Sequence, residues 1–217
     1  MDVTILVPTY FGAPLVTNCV NSIMQQVINP RILVYKNDIG WLKACNELMS
    51  STLTDVIVLN DDTIILSDIV QEMRTLAYSD PKIGIVGGKS ISPDGQHVNN
   101  YGIFIAPDGN TAHKYYGEDK SNVTEVVTQK SVEGSCMYIK RQVINDIGLF
   151  DENFGMGYRE EIDYCYRARE KGYDVVSCPT AEYIHLVGQT SARLGIWSNK
   201  HEYFMSKWGD KLATGKI

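Results

Sequence analysis

The stretch Val56-Ile57-Val58-Leu59-Asn60-Asp61-Asp62-Thr63 passes from four apolar residues to a polar cluster in one step. The apolar run is rich in β-branched side chains and reads as a strand buried on both faces, the pattern of a parallel sheet. Asn60, Asp61 and Asp62 then fall at the carboxyl end of that strand, where open α/β sheets place their ligands. Adjacent carboxylates repel and lose hydration when buried, so they call for a cation or for hydrogen-bond donors. Two readings stand at this point. One is a strand-ending turn, with Asp62 or Ser67 capping the next helix; the other is an oxygen-rich mount for a divalent ion.

The neighbouring sequence repeats the strand–helix alternation. Val3 to Val7 is a short strand closed by Pro8-Thr9-Tyr10, because proline cannot continue a central ladder. Val16, Cys19, Val20, Ile23 and Met24 recur at helical spacing between Leu15 and Val27. Ile32 to Tyr35 is a second strand, ending on Lys36-Asn37-Asp38, and Gly40 opens a helix to about Met49. Ser67 or Asp68 caps a helix to about Tyr78, and Ile83 to Val86 is a fourth strand ending in Gly87-Gly88. Such alternation predicts βαβ units and a mostly parallel sheet with helices on both faces. From Ser90 to about Gln129 the apolar runs give way to Pro, Gly, Asn and aromatic residues, with turns at Asp94-Gly95 and Asp108-Gly109. This predicts a small antiparallel excursion. A strand at 134–139, a short helix to Ile147 and a turn at Phe154-Gly155-Met156-Gly157 follow. The chain then continues with a helix from about Arg159 to Lys171 stopped by Gly172, a last short strand from Tyr173 to Cys178, the segment Glu182-Tyr183-Ile184-His185, and an aromatic carboxyl-terminal helix with Trp197, Tyr203, Phe204 and Trp208.

At 217 residues the chain suits one α/β domain. A net charge of −6 and the lack of a Lys/Arg cluster argue against nucleic acid as a partner. Five scattered cysteines without a Cys-x-x-Cys pair fit a reducing compartment, and with no apolar run of spanning length the expected location is the cytoplasm.

Two further stretches carry chemistry. Glu160-Glu161-x-Asp163 sets three carboxylates at a helix start, which is either dipole and capping chemistry, with Asp163 and Arg167 as an ordinary helix pair, or a mount for a general base. His185 ends an apolar segment; it is either a structural histidine or, with Asp62, half of a mixed oxygen and nitrogen site for Mn²⁺ or Mg²⁺.

Taken in order, Val7-Pro8-Thr9-Tyr10, Leu59 to Thr63, Gly134 to Arg141, Gly148-Leu149-Phe150-Asp151-Glu152-x-Phe154, Glu160 to Arg167 and Ile184 to Gly188 resemble glycosyltransferase family 2, nearest its rhamnosyltransferase-like branch. The resemblance implies a single GT-A domain and a nucleotide-diphospho-sugar donor, such as a UDP- or dTDP-sugar, with transfer to a glycan hydroxyl. By position it implies that Asn60-Asp61-Asp62 is the metal motif with Asp62 on Mn²⁺ or Mg²⁺, joined by His185. It makes Glu161 the base, with Glu160 as the alternative. Thr9 and Tyr10 line the nucleotide base, and Gly40, Trp41 and Asn46 lie beside the sugar and phosphates. One departure is large: the loop that usually carries a uracil-contacting Asp is deleted or compressed into Asn37-Asp38. So compact a version is expected of a large DNA virus such as a chlorella virus, as one domain of a longer protein. The reading divides the chain into a nucleotide-sugar half (1–89), an acceptor and catalytic half (90–188) and a helical tail (189–217). The rival from another class is a non-catalytic nucleotide-sugar or glycan-binding module, favoured by the shortened loop. A sugar nucleotidyltransferase would instead open on a Gly-rich basic loop, which Pro8 to Gly12 is not.

Overall fold

The computed structural model describes residues 2–155, 158–189 and 200–217. Seven strands make the main path of the sheet: β1 (Val3–Thr9), β2 (Arg31–Lys36), β3 (Asp55–Leu59), β4 (Thr63–Ile65), β5 (Ile83–Ile91), β10 (Cys136–Ile139) and β11 (Asp174–His185). Their order is β2-β1-β3-β10-β5-β11-β4, with two further short strands paired off this path. β2 and β3 run parallel to β1, and β11 runs parallel to β5, while β10 lies antiparallel between β3 and β5 and β4 antiparallel to β11. Five of the seven strands therefore point the same way.

Alternation along each strand explains how both faces are filled. Leu6, Val56, Val58, Ile85, Met137 and Ile139 face one apolar cluster, which takes in Leu42 and Cys45 of α2 (Trp41–Ser50), Val143 of α4 (Arg141–Ile147) and Ile162 of α5 (Glu160–Glu170). Ile5, Val7, Ile57, Leu59, Val86 and Tyr138 face the other, beneath Cys19 and Ile23 of α1 (Leu15–Gln26) and Ile69 and Met73 of α3 (Ile69–Ala77). Burying both faces is what makes the β3 run read as continuously apolar.

Residues 92–130 form the antiparallel excursion. β6 (Val98–Asn100) pairs with β5, β9 (Val127–Gln129) with β11, and β7 (Ile103–Ile105) with β8 (Thr111–His113) as a separate hairpin. Both turns read from the sequence have glycine at positive φ, Gly95 at 75° and Gly109 at 80°. Lys89 ties the excursion down: its buried ammonium donates to the carbonyls of Lys120 and Val123 and meets Glu182 at 3.0 Å.

The structure alters three boundaries. β5 continues through Gly87-Gly88 to Ile91, because a Cβ at Gly88 would lie 2.9 Å from the Tyr183 ring and the strand packs closely there. The last strand, expected to end at Cys178, runs on to His185 as β11, with an irregularity between Ser177 and Glu182 that accommodates Pro179. β4 follows the Asn-Asp-Asp turn directly, too short to show a period of its own. The α3 cap is Asp68, which accepts from the Gln71 amide, while Ser67 accepts from the amide of Glu182. The carboxyl-terminal helix α6 (His201–Ala213) buries Phe204 and Trp208 against α5. Lys207 bridges Asp151 (2.7 Å) and the fully buried Asp163 (2.6 Å). Asp163 also accepts from Trp208 Nε1 and Arg167, so it anchors helices. Trp197, Met156 and Gly157 lie outside the described residues.

Candidate active site

Three backbone devices bring the predicted residues to the carboxyl ends of β1 and β3. First, Asn60-Asp61-Asp62 makes a tight turn between β3 and β4, closed by Thr63 Oγ1 donating to the Asn60 carbonyl at 2.7 Å. The register Thr63↔His185 between β4 and β11 then sets Asp62 beside His185, and Leu186 N–H donates to the Asp62 carbonyl. Second, the β3–β10 ladder extends by one bond, from Asn60 N–H to the Ser135 carbonyl at 3.0 Å. It carries Glu133 and Gly134 alongside the turn. Third, α5 starts at Glu160 behind Tyr158 and Arg159, consecutive non-glycine residues at φ 75° and 76°. Such conformations cost of order 1–3 kcal/mol each and persist where the surroundings enforce them.

The polar contacts form two groups, a chain through His185 and a second set around Thr9. Asp62 Oδ1 lies 3.2 Å from His185 Nε2, and Glu133 Oε1 lies 2.9 Å from Nδ1 on the other side of the ring. Asn60 Oδ1 accepts from Trp41 Nε1 at 2.7 Å, and its amide nitrogen is 3.4 Å from His185 Nε2. Thr9 Oγ1 donates to Asp61 Oδ2 at 2.5 Å and accepts from Gly12 N–H. Burial by itself would lower the His185 pKa, but the hydrogen bonds to Asp62 and Glu133 outweigh it and push the ring up to about 10. Burial would raise Glu133, yet its bond from His185 leaves it below the usual carboxylate range.

Glu161 approaches this chain through a glycine. A Cβ on Gly134 would lie 3.3 Å from Glu161 Cβ and 3.4 Å from the Trp41 ring. Glu161 Oε2 is buried without a hydrogen-bond partner. Burial, with the charge of Glu133 adding to it, pushes the Glu161 carboxyl up to about 7. Glu160 is buried more completely, and burial followed by the charge of Glu161 raises it well above the ordinary range. Its charge is felt by Cys45 of α2, which sets it towards the core.

The remaining predicted residues divide. Trp41 joins the chain of contacts. Tyr10 is half-buried, packed edge-on against Phe11 at 5.1 Å. Gly40 has φ 94° and precedes α2. Asn37 is spent on its own turn, with Oδ1 accepting from Ile39 N–H and Nδ2 directed at the Tyr35 carbonyl, and Asp38 is exposed. Asn46 does not face the site; it brackets the 150 loop by accepting from Phe150 N–H and donating to the Phe150 carbonyl and Glu152. Glu133 is the site residue that sequence reasoning missed. Its one signal was an acidic residue immediately before the Gly-Ser that opens a buried strand.

The profile of the family described as "Glycosyltransferase like family 2" matches residues 40–205, most of the chain. The chain belongs to that family. Among curated proteins, this glycosyltransferase-like chain is 30% identical over 159 residues to the low-salt glycan biosynthesis hexosyltransferase Agl10 of Haloferax volcanii, covering 69% of the chain and 47% of that protein. It is 31% identical over 137 residues to the uncharacterized protein y4gI of Sinorhizobium fredii, covering 60% of the chain and 15% of that protein. The chain thus spans less than half the length of these curated relatives. Among solved structures, GalNAc-T7 with UDP, GalNAc and Mn²⁺ superposes with a TM-score of 0.73 at 11% identity, over 97% of the chain and 49% of that one. The mannosyltransferase PcManGT of Pyrobaculum calidifontis with GDP-Man and Mn²⁺ does so with 0.61 at 15% identity, over 89% and 59%. These likenesses establish the GT-A fold of the family 2 domain.

Among the described residues, no three His, Cys, Asp or Glu side chains converge as a ready-made cation cage. Asp62 and His185 offer one oxygen and one nitrogen on adjoining atoms. That donor set fits a divalent cation that draws its other ligands from water and a substrate diphosphate, with the nitrogen favouring Mn²⁺ over Mg²⁺. No helix of the described residues is long and apolar enough to cross a membrane.

Proposed function

We propose that this chain is the catalytic domain of a metal-dependent, inverting glycosyltransferase that moves a sugar from a nucleotide-diphospho-sugar to a glycan hydroxyl. The observation that carries the reading is the Asp62–His185 pair standing one glycine away from Glu161, whose Oε2 is buried without a hydrogen-bond partner. Asp62 and His185 would hold Mn²⁺ or Mg²⁺. When bound, such a cation neutralises charge on the diphosphate leaving group.

The residues of the chain divide the rest of the work. Glu161, raised to about 7, is matched to accept a proton near neutral pH. It takes the proton of the acceptor hydroxyl while that oxygen bonds to the anomeric carbon. The bond from that carbon to the diphosphate breaks on the opposite face, and the nucleoside diphosphate departs with the electron pair. One base and an in-line displacement give inversion. Glu160, facing the core, supports Glu161 as the base over itself. Trp41, fixed through Asn60, walls the sugar pocket. Thr9 and Tyr10 flank the nucleotide. The named ligands of the structural neighbours support a UDP- or GDP-type donor, and the Haloferax relative supports a hexose; the rhamnose expected from the motifs is a neighbouring choice.

A donor screen tests the reading. UDP-, GDP- and dTDP-sugars are titrated with and without Mn²⁺, followed by thermal shift and nucleotide release. The expected outcome is stabilisation that needs metal, slow donor hydrolysis, and loss of both in Asp62→Ala with the fold retained. Metal-dependent turnover unchanged in Asp62→Ala would remove the metal assignment. Binding without turnover towards any acceptor would favour the binding-module reading, which the spent amide of Asn37 and the shortened loop support.

A further inference from the structure

Glu133 lies in none of the motifs from which the site was read, yet it contacts the site at its centre. Oε1 is 2.9 Å from His185 Nδ1, while Tyr183 OH is 3.4 Å from Oε2. The other ring nitrogen, Nε2, faces Asp62 at 3.2 Å. The backbone that carries Glu133 is held on both sides. Asn60 N–H donates to the Ser135 carbonyl, Ser135 Oγ meets Tyr183 OH at 2.7 Å, and Gly134 is wedged between Glu161 and Trp41. The carboxylate has 17% of its side-chain surface exposed, so it is placed by this packing.

We propose that Glu133 is the positioning residue of the cation site: by accepting from Nδ1–H it fixes the plane and tautomer of His185, so that Nε2 is offered to a divalent cation shared with Asp62. An imidazole can ligate only through a bare nitrogen, and a carboxylate on one nitrogen keeps the proton there and the other free. The Asn60 amide nitrogen, a donor 3.4 Å from Nε2 whose oxygen already accepts from Trp41, fits the same tautomer with Nε2 bare. Glu133 touches no substrate in this scheme; it acts through His185. The inference rests on the metal-dependent reading above and adds to it a residue outside the recognised motifs.

The test uses the full chain with UDP, GDP or dTDP at saturation, MnCl₂ titrated, and free Mn²⁺ read by electron paramagnetic resonance. MgCl₂ is run as a competitor. Loss of an orienting carboxylate typically costs about 10–100-fold in metal affinity. Glu133→Ala is therefore expected to weaken Mn²⁺ by about that factor and to weaken Mg²⁺, which prefers oxygen ligands, much less. Glu133→Gln keeps an acceptor for Nδ1–H and is expected to recover most of the affinity. In a His185→Ala background, Glu133→Ala is expected to add nothing. Where Glu133→Ala does not fold, Glu133→Met takes its place against Glu133→Gln. Mn²⁺ affinity equal to wild type in Glu133→Ala, or effects that add in the double variant, overturn the inference and leave the metal site standing. A wild-type protein that takes up no Mn²⁺ with any of the nucleotides overturns the metal reading and this inference together.

Discussion

Replacing Glu161 by Gln probes the base and its environment in one variant. The Glu161 carboxyl is raised from 4.5 to about 7, first by burial and then by the charge of Glu133. A shift of that size corresponds to about 3 kcal/mol of preference for the protonated form. The folded protein holds this proton more tightly than the unfolded chain does. Folding stability is therefore highest below the unfolded value near 4.5 and falls as pH rises towards 7, where the folded group finally ionises. Glutamine is neutral at every pH and nearly isosteric, so it removes that penalty. Because the adjoining Glu160 shares the charge repulsion, the expected gain at pH 8 is on the order of 1–3 kcal/mol, or about 2–10 °C in Tm for a chain of this size. At pH 4 the gain should vanish. Transfer should fall by about 10²–10⁴ while donor binding is kept. Differential scanning calorimetry across pH 4–8, with a coupled nucleotide-release assay, reads both effects. A variant no more stable than wild type at pH 8, or equally more stable at pH 4 and pH 8, would refute the burial argument. Unaltered transfer would refute Glu161 as the base.

Gly134→Ala introduces a Cβ 3.3 Å from Glu161 Cβ and 3.4 Å from the Trp41 ring, which requires shifts of a few tenths of an ångström. Transfer should drop at least about tenfold through misplacement of the base, with stability changed by less than about 1 kcal/mol; calorimetry and turnover separate the two. Lys207→Ala removes the cation between Asp151 and the buried Asp163. It should cost about 1–3 kcal/mol at pH 7, discounted for partial exposure. Asp151 is held below the ordinary carboxylate range, burial being outweighed by its bonds from Lys207, Tyr203 and Asn153. The difference from wild type should therefore persist down to low pH and shrink only when Asp151 itself protonates, as acid titration of the two melting curves would reveal.

The layout of strands and helices was legible because each strand with both faces covered is apolar throughout, as at 56–59 and 83–86. Asp62 and His185 were legible as residue types in a motif order, but their meeting was not. It depends on the three-residue strand β4, which is too short to carry a period and whose register alone sets Thr63 opposite His185. The continuity of β11 was hidden by Pro179, which reads as a strand end yet sits in an irregularity. Asn46 matched a donor-side motif, but its amide is committed to Phe150, 104 residues away, a pairing no local pattern encodes. Glu133 was overlooked because a lone acid before a glycine is common, and its partner His185 lies 52 residues further on. The aromatic residues of the carboxyl-terminal helix were plain in the sequence, but that Phe204 and Trp208 pack on Tyr166 of α5 was not.

The segment Glu133-Gly134-Ser135 also bears on how family 2 domains can be recombined. It contacts His185 and Tyr183 from the last strand, Asn60 from the first half, and Glu161 and Trp41 across its glycine. A chimaera whose crossover falls just after it would part these three residues from His185, Tyr183 and Glu161, and one just before it would part them from Asn60 and Trp41. Grafting a new acceptor specificity onto this domain therefore calls for a crossover that moves the segment together with the turn at 60–62 and the end of β11. Those pieces are distant in sequence but behave as one heritable unit.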